Sequence, residues 1–362
     1  SKLVIACGGT GGHLAPGIAV AEELTARGHS CLLVISKKQV DSALISKYEH
    51  LDFIQVPGRG FSKGTRARFQ ALLETFKGIV SSWLLLRRER PDLVFAFGGF
   101  ISASLGIAAK LRKVPLVVHE ANCTPGKSTR LLAPYAMRVY LPEDVSISKC
   151  DSSKVRDFGY PVRKEIAPIS KEEACSILKI PVPEKLLVVI GGSQGAQALN
   201  SWLETNYEAF ADDGISSYCI TGMGQSTEGT HVVRVSDEKS VTMTRVQFSN
   251  SMGALLSAAD LVISRAGAGS LAEIKRCQTP SILIPYPFAA DDHQAANADA
   301  HVRAGGGICL DQNELNVLKN RVELFFSEPE RLQSYANNLK SLNQRDAAVM
   351  IAEDIETLCS AN

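Results

Sequence analysis

The chain has 362 residues, of which 45% are hydrophobic and 21% charged. That is enough apolar material for two ordinary domain cores and too much for a disordered or low-complexity chain. The net charge of +1 conceals an imbalance: residues 1–160 carry 22 Lys/Arg against 13 Asp/Glu (+9), and the remainder 17 against 25 (−8).

The basic first half suits an anionic partner: a nucleic acid, a phosphate or an anionic membrane. Nine cysteines without a Cys-x-x-Cys pair exclude zinc-ribbon and thioredoxin-like chemistry and fit a reducing compartment. No 18-residue apolar run offers a membrane span, and the first apolar run, Leu3 to Ala6, is too short for a secretory signal.

Taken in chain order, Leu3–Ala6 predicts a buried strand that runs into Gly8-Gly9-Thr10-Gly11-Gly12. Residues Pro16–Arg27 predict an amphipathic helix with Ile18, Ala21 and Leu24 on one face, Pro16 in its first turn and Gly28 at its stop. Cys31–Ile35 is the next strand. Residues 59–90 hold eight Lys/Arg and two acids, interleaved with Phe69, Leu72, Leu73, Phe76, Ile79, Val80 and Trp83 at helical spacing.

A basic helix with an apolar face can lie on an anionic bilayer, each basic residue contributing roughly 1 kcal/mol. The stripe predicts membrane contact through Phe69, Phe76, Ile79 and Trp83. A helix packed on its own domain is the alternative, and the aromatics can divide between core and lipid. The glycines of 58–64 mark a loop suited to closing over an acceptor pyrophosphate. Leu93–Phe97 and Leu116–His119 read as further buried strands.

The junction is predicted near Phe158–Ser170, where Gly159, Pro161 and Pro168 cluster. The second half then repeats the scheme. Strand Leu186–Ile190 leads into Gly191-Gly192-Ser193-Gln194-Gly195-Ala196, followed by a helix with Leu199, Trp202, Leu203 and Phe210 inward. Strands follow at Tyr218–Thr221, Leu261–Ser264 and Ser281–Pro285. Continuous apolar strands alternating with helices imply parallel sheets covered on both faces. The expected fold class is α/β, with domains at 1–160 and 161–345 and a last helix within 346–362 that packs back on the first domain.

A strand–glycine–helix turn gathers backbone N–H groups and a helix N-terminus at one point, which attracts phosphate. Neither loop is a dinucleotide or Walker fingerprint. After Gly9 and Gly11 the third glycine position is Leu14, strand Cys31–Ile35 ends in Ser36-Lys37-Lys38 with no acid, and no Gly-Lys-Ser/Thr occurs. Two such turns, one per half, predict a nucleotide-sugar site.

The ordered motifs carry more than any one of them. Gly8–His13, Gly98-Gly99-Phe100, His119-Glu120-Ala121-Asn122, Gly159–Arg163, Gly191–Ala196, Arg265–Glu273 and Asp291-Asp292-His293-Gln294 with Asn297-Ala298 follow in that sequence. The chain resembles, over nearly its whole length, the lipid II-forming peptidoglycan glycosyltransferases. The resemblance implies a GT-B fold of two Rossmann-like doubly wound domains with an interdomain cleft, acceptor mainly on the first and donor mainly on the second. It implies inverting transfer of N-acetylglucosamine from UDP-N-acetylglucosamine to the 4-hydroxyl of N-acetylmuramate in undecaprenyl-linked lipid I. It also implies a peripheral location on the cytoplasmic face of the bacterial plasma membrane, no cofactor and no metal.

Within that frame the resemblance gives Glu273 to the ribose hydroxyls, Gln294 to the sugar hydroxyls with Asn297 in support, Asn122 to the donor, and a main-chain role near uracil to Ser249. The turn Ala268–Gly269–Ser270–Leu271 offers N–H groups to the diphosphate, as do Thr10, Gly11, Gly12 and Ser193 in the glycine loops, and Arg163 offers charge. A sugar hydroxyl needs general-base help. Histidine, with an ordinary pKa of about 6.5, suits that work, which nominates His13. His13 as a loop-orienting or diphosphate-binding residue stays open, and so does Glu120 as its orienter or replacement. Asp291-Asp292 is not read as a metal site, because in this fold the helix dipole and side chains take the leaving diphosphate.

The rival readings are a related enzyme with another lipid or small-molecule acceptor, a UDP-sugar epimerase of the same fold, a catalytically inactive UDP-sugar-binding module, and a nucleic-acid-binding protein. The confined, helically patterned basic stretch favours a membrane over nucleic acid.

Overall fold

A computed structural model describes the chain except residues 9–10, 37–44, 57–64, 192–195, 225–227, 237–239, 343–344 and 361–362, and the side chains of 11, 65–73 and 290. It divides into two compact units, Ser1–Arg163 with Arg345–Asn362, and Lys164–Gln344.

The first unit is built on a seven-stranded parallel sheet. Its strands are β1 (Lys2–Ala6), β2 (Ser30–Ile35), β3 (Asp52–Gln55), β4 (Leu93–Ala96), β5 (Leu116–His119), β6 (Arg138–Tyr140) and β7 (Val155–Arg156), in the spatial order β3-β2-β1-β4-β5-β6-β7. Helices α1 (Gly11–Ala26), α2 (Thr65–Glu89), α3 (Gly99–Arg112) and α4 (Lys127–Leu132) connect them. Strand side chains alternate between faces, so Leu3, Ile5 and Cys7 enter one apolar cluster while Val4 and Ala6 enter the other. A β-carbon on Gly17 of α1 would lie 2.4 Å from Cys7 Cβ, so helix and strand touch at a distance only glycine permits.

The second unit repeats the plan. Its strands are β8 (Lys185–Ile190), β9 (Ile215–Ile220), β10 (Gly229–Arg234), β11 (Ser240–Val246), β12 (Leu261–Ser264), β13 (Ser281–Leu283) and β14 (Gly307–Cys309). Their order is β10-β11-β9-β8-β12-β13-β14, all parallel except the β10–β11 pair. Helices α5 (Lys171–Leu178), α6 (Gln197–Asn206), α7 (Met252–Ala258), α8 (Ala268–Cys277), α9 (His293–Arg303), α10 (Leu315–Ser327) and α11 (Pro329–Ser341) accompany them. Each sheet reverses its winding at one place, between β1 and β4 and between β8 and β12. In doubly wound folds ligands bind at the carboxyl edge of that reversal.

Helix α12 (Ala347–Ser360) belongs to the first unit. Ala348, Ile351, Ala352 and Ile355 join the core against α1. Polar contacts fix its rotation: Asp354 accepts from Arg138 Nε at 3.1 Å and from the Tyr140 hydroxyl at 2.9 Å, and Arg27 reaches Glu356 at 3.0 Å.

The sequence pattern places the start of α1 at Pro16, whereas the helix begins at Gly11. Proline at that position cannot donate to the Gly12 carbonyl four residues back. The Tyr160 hydroxyl donates to that carbonyl instead, at 3.2 Å, so the helix extends through the glycines.

Candidate active site

At the carboxyl edge of the first sheet, β1 gives way to Gly8, whose missing side chain lets the backbone pass Ser36 N; a β-carbon there would lie 2.4 Å from it. The first turn of α1 then presents Gly11, Gly12 and His13. Beside it β4 turns through Gly98 (φ 100°) and Gly99 (φ 77°), both in the left-handed region. Their β-carbons would lie 3.0 Å from His13 Nε2 and 3.4 Å from His13 Nδ1. The half-buried imidazole therefore rests directly against the glycine turn that opens α3, between the starts of two helices whose N-termini carry partial positive charge. Thr10, which the sequence reading assigns to the donor, lies outside the described residues.

Glu120 has a different setting from the one its sequence neighbours suggest. It is buried, and its carboxylate is filled by its own loop. Oε1 accepts from Ala121 N (3.0 Å), Asn122 N (3.0 Å) and Asn122 Nδ2 (3.1 Å), and Oε2 accepts from Gly126 N (2.8 Å). Four donors on one carboxylate make it the organiser of the loop 120–126, and they hold the Asn122 amide in place. His119 is fully buried between Phe97 and Tyr160, donating from Nε2 to the Gly159 carbonyl at 3.0 Å. Burial pushes its pKa down to about 4, so it stays neutral. Arg163, expected on the nucleotide, is buried at the end of the first unit and donates to the Tyr48 hydroxyl at 3.2 Å.

At the second sheet the reversal lies between β8 and β12. The loop after β8, with Ser193, is outside the described residues. After β12 the chain passes through Arg265-Ala266-Gly267 into α8, with Gly267 as the N-cap residue. Ala268, Gly269 and Ser270 form the first turn, whose N–H groups have no acceptor within the helix, and Leu271 N closes on Gly267 O at 3.0 Å. Glu273 follows one turn on, half-buried. Ser249 follows β11 at the same edge, its hydroxyl accepting from Ser251 N at 3.1 Å. Gln294, in the first turn of α9, accepts through Oε1 from Tyr286 N at 2.9 Å. Asn297 Nδ2 donates to the Ala266 carbonyl at 3.1 Å, tying α9 to the turn before α8.

Arg265 is the residue the sequence reading leaves without a role. It is buried and donates to the carbonyls of Ile284 (3.0 Å) and Pro285 (3.2 Å) and to Gln312 Oε1 (2.5 Å), beneath the Tyr286 ring. It welds the turn before α8 to the segment that carries Gln294. The signal was present in the sequence: an arginine separated by one residue from the apolar run Leu261–Ile263 of a buried strand must find partners inside the protein. Among the described residues no three His, Cys, Asp or Glu converge in a way that could hold a metal ion.

On α2 the exposed face carries Phe76 (66% exposed), Val80 (42%) and Leu84 (53%), with Lys77, Arg87 and Arg88 beside them. Ile79 and Trp83 are half-buried, and Trp83 packs against the core while the guanidiniums of Arg87 and Arg112 lie 5.9 and 4.9 Å from its ring. The outward row is thus 76, 80, 84, set by Gly78 and Ser82 facing inward; Gly78 lies so close to Ser104 of α3 that a β-carbon would meet its hydroxyl at 2.8 Å. Of the stripe expected from the sequence, Phe76 faces outward, where Val80 and Leu84 accompany it, and Ile79 and Trp83 are half-buried. The Phe69 side chain lies outside the described residues.

Comparison with known proteins follows the same division. Residues 3–141 match the glycosyltransferase family 28 N-terminal domain and residues 186–351 the glycosyltransferase family 28 C-terminal domain. A protein of Opitutus terrae, the UDP-N-acetylglucosamine–N-acetylmuramyl-(pentapeptide) pyrophosphoryl-undecaprenol N-acetylglucosamine transferase, is 43% identical, covering 99% of this chain and 95% of the relative. The Halothermothrix orenii protein of the same name is 33% identical, covering 98% of each chain. The crystal structure of Acinetobacter baumannii MurG superposes with a TM-score of 0.71 at 23% identity, over 98% of this chain and 99% of that one.

Proposed function

The chain belongs to glycosyltransferase family 28, and from that membership we infer that it transfers N-acetylglucosamine from UDP-N-acetylglucosamine to the 4-hydroxyl of lipid I, forming lipid II in peptidoglycan synthesis. The observation that carries this reading is the end-to-end 43% identity with a relative of that name. The fold is GT-B, two Rossmann-like α/β units.

The geometry supports a division of labour. In the second unit, the open N–H groups of Ala268, Gly269 and Ser270 take the donor diphosphate, favoured by the helix dipole. Glu273 accepts from the ribose hydroxyls, and Gln294 meets the sugar. In the first unit, His13 Nε2 or Nδ1 takes the proton as the acceptor 4-hydroxyl oxygen forms its bond to C1. The C1–oxygen bond to UDP breaks, its electrons pass to the diphosphate, and the anomeric centre inverts. Glu120 keeps its loop in shape, and His119 holds the Gly159 carbonyl beside the glycine turn. His13 is the base in this reading because the Glu120 oxygens already serve four donors.

The exposed row Phe76, Val80, Leu84 with its basic neighbours is the membrane face, on the cytoplasmic side of the plasma membrane. No described helix is long and apolar enough to cross a bilayer, and surface adhesion through this row accounts for access to a lipid-linked acceptor. Replacing Phe76 and Leu84 by Ser should weaken binding to vesicles of anionic phospholipid; undiminished binding by the folded variant rejects the face.

The activity is tested by incubating the full chain with labelled UDP-N-acetylglucosamine and a lipid I analogue, beside UDP-glucose and UDP-galactose. Labelled disaccharide lipid and free UDP are expected with the first donor. Label transferred to another acceptor class, or no transfer, defeats the reading.

A further inference from the structure

Phe288 is, at 80%, the most solvent-exposed large apolar side chain among the described residues, and Tyr286 two residues earlier is 44% exposed. Their rings meet edge to face with centroids 5.7 Å apart. Two aromatic rings left in water at the end of a buried strand call for an occupant, since surface aromatics at such density mark contact sites.

Their anchoring points to which occupant. The Tyr286 ring lies over the Arg265 guanidinium, its centroid 5.6 Å away, and that guanidinium is itself pinned to Ile284 and Pro285. The Tyr286 backbone N–H is bonded to the Gln294 side chain. The aromatic pair is therefore fixed to the turn that opens α8 on one side and to the sugar-facing amide on the other.

We propose that Tyr286 and Phe288 form an aromatic platform on which the hexosamine ring of the nucleotide sugar lies, so that they set donor specificity. This rests on the reading of Gln294 as the partner of the sugar hydroxyls. In the α-linked donor the axial UDP oxygen occupies one face of the gluco-configured ring, and every other substituent is equatorial, so the opposite face presents the axial C–H groups of C2 and C4 to pack on a ring. A galacto-configured sugar turns its 4-hydroxyl axial on that same face and spoils it. The platform thus adds discrimination through shape, while Gln294 supplies the polar contact.

The test is calorimetric titration of the full chain with UDP-N-acetylglucosamine and, separately, with UDP, for the unaltered protein, Phe288→Ala and Phe288→Tyr. Aromatic contacts of this kind correspond to roughly a two- to tenfold change in affinity. Phe288→Ala is expected to weaken the nucleotide sugar by that factor, leave UDP affinity unchanged and narrow the preference over UDP-N-acetylgalactosamine; Phe288→Tyr restores all three. If UDP and the nucleotide sugar weaken together, or neither weakens, the platform is overturned while the donor assignment stands. If the unaltered protein binds UDP but not UDP-N-acetylglucosamine, the donor assignment falls and takes the platform with it.

Discussion

The two reversals of winding, β1/β4 and β8/β12, share one topology and differ in chemistry. The first is furnished with a titratable ring: His13 lies against Gly98 and Gly99, with buried His119 and Glu120 behind it. The second offers open helix N–H groups, a carboxylate on the next turn and an amide, Gln294, held by main chain. A site that moves a proton needs a group that changes charge near neutrality, and a site that grips a diphosphate needs fixed dipoles that do not. In the proposed reading, one architecture, used twice, serves two halves of a transfer reaction through the residues placed on its carboxyl edge.

The comparison breaks most sharply at His13. His13→Ala should lower turnover by roughly 10²- to 10⁴-fold, the usual worth of a positioned base, with donor affinity unchanged by calorimetry. A parallel loss of donor affinity would merge the two sites into one. Next in size, Glu273→Ala should weaken UDP-N-acetylglucosamine by about tenfold to a hundredfold, as expected for losing hydrogen bonds to a charged acceptor, while turnover at saturating donor changes less. Unaltered affinity removes Glu273 from the ribose.

Glu120→Gln sharpens the first region. An amide cannot accept from the Gly126 N–H on one side and serve three donors on the other, so the loop should lose about 1–3 kcal/mol, read by denaturant unfolding and faster exchange of the Gly126 amide. If stability holds and turnover collapses as in His13→Ala, Glu120 is itself the base.

The smallest effect concerns His119. Its folded pKa of about 4 lies below the unfolded value of about 6.5. The unfolded chain binds a proton first as pH falls, so stability is full above pH 6.5 and declines through the window down to 4. The contribution is about 1 kcal/mol between pH 7 and pH 5.5. His119→Gln, which keeps a donor for Gly159, should flatten that slope; an unchanged slope assigns it to other groups.

The buried strands were legible because runs such as Leu186–Ile190 and Leu261–Ile263 are covered on both faces and read as uninterrupted apolar segments. Strand β7, two residues long, and β10, exposed along nearly its whole length, carry no such pattern. The start of α1 was misplaced for a tertiary reason: the carbonyl that Pro16 leaves open is satisfied by Tyr160, 148 residues away. The stripe of α2 was legible as a helix with aromatics to divide between core and surface, but periodicity does not say which go where: Gly78 meeting Ser104 turns Trp83 toward the core and leaves Phe76 and Val80 outside. The chemistry of Glu120 was legible as a carboxylate in the right place. Its four donors come from how the following six residues fold back, which composition does not state.

The most direct test of the division between the two reversals is a crystal structure of the chain with UDP-N-acetylglucosamine. The account predicts the diphosphate against the N–H groups of Ala268, Gly269 and Ser270 and the ribose hydroxyls on Glu273. A diphosphate seated instead on the turn Gly11–His13, with α8 bare, would contradict it.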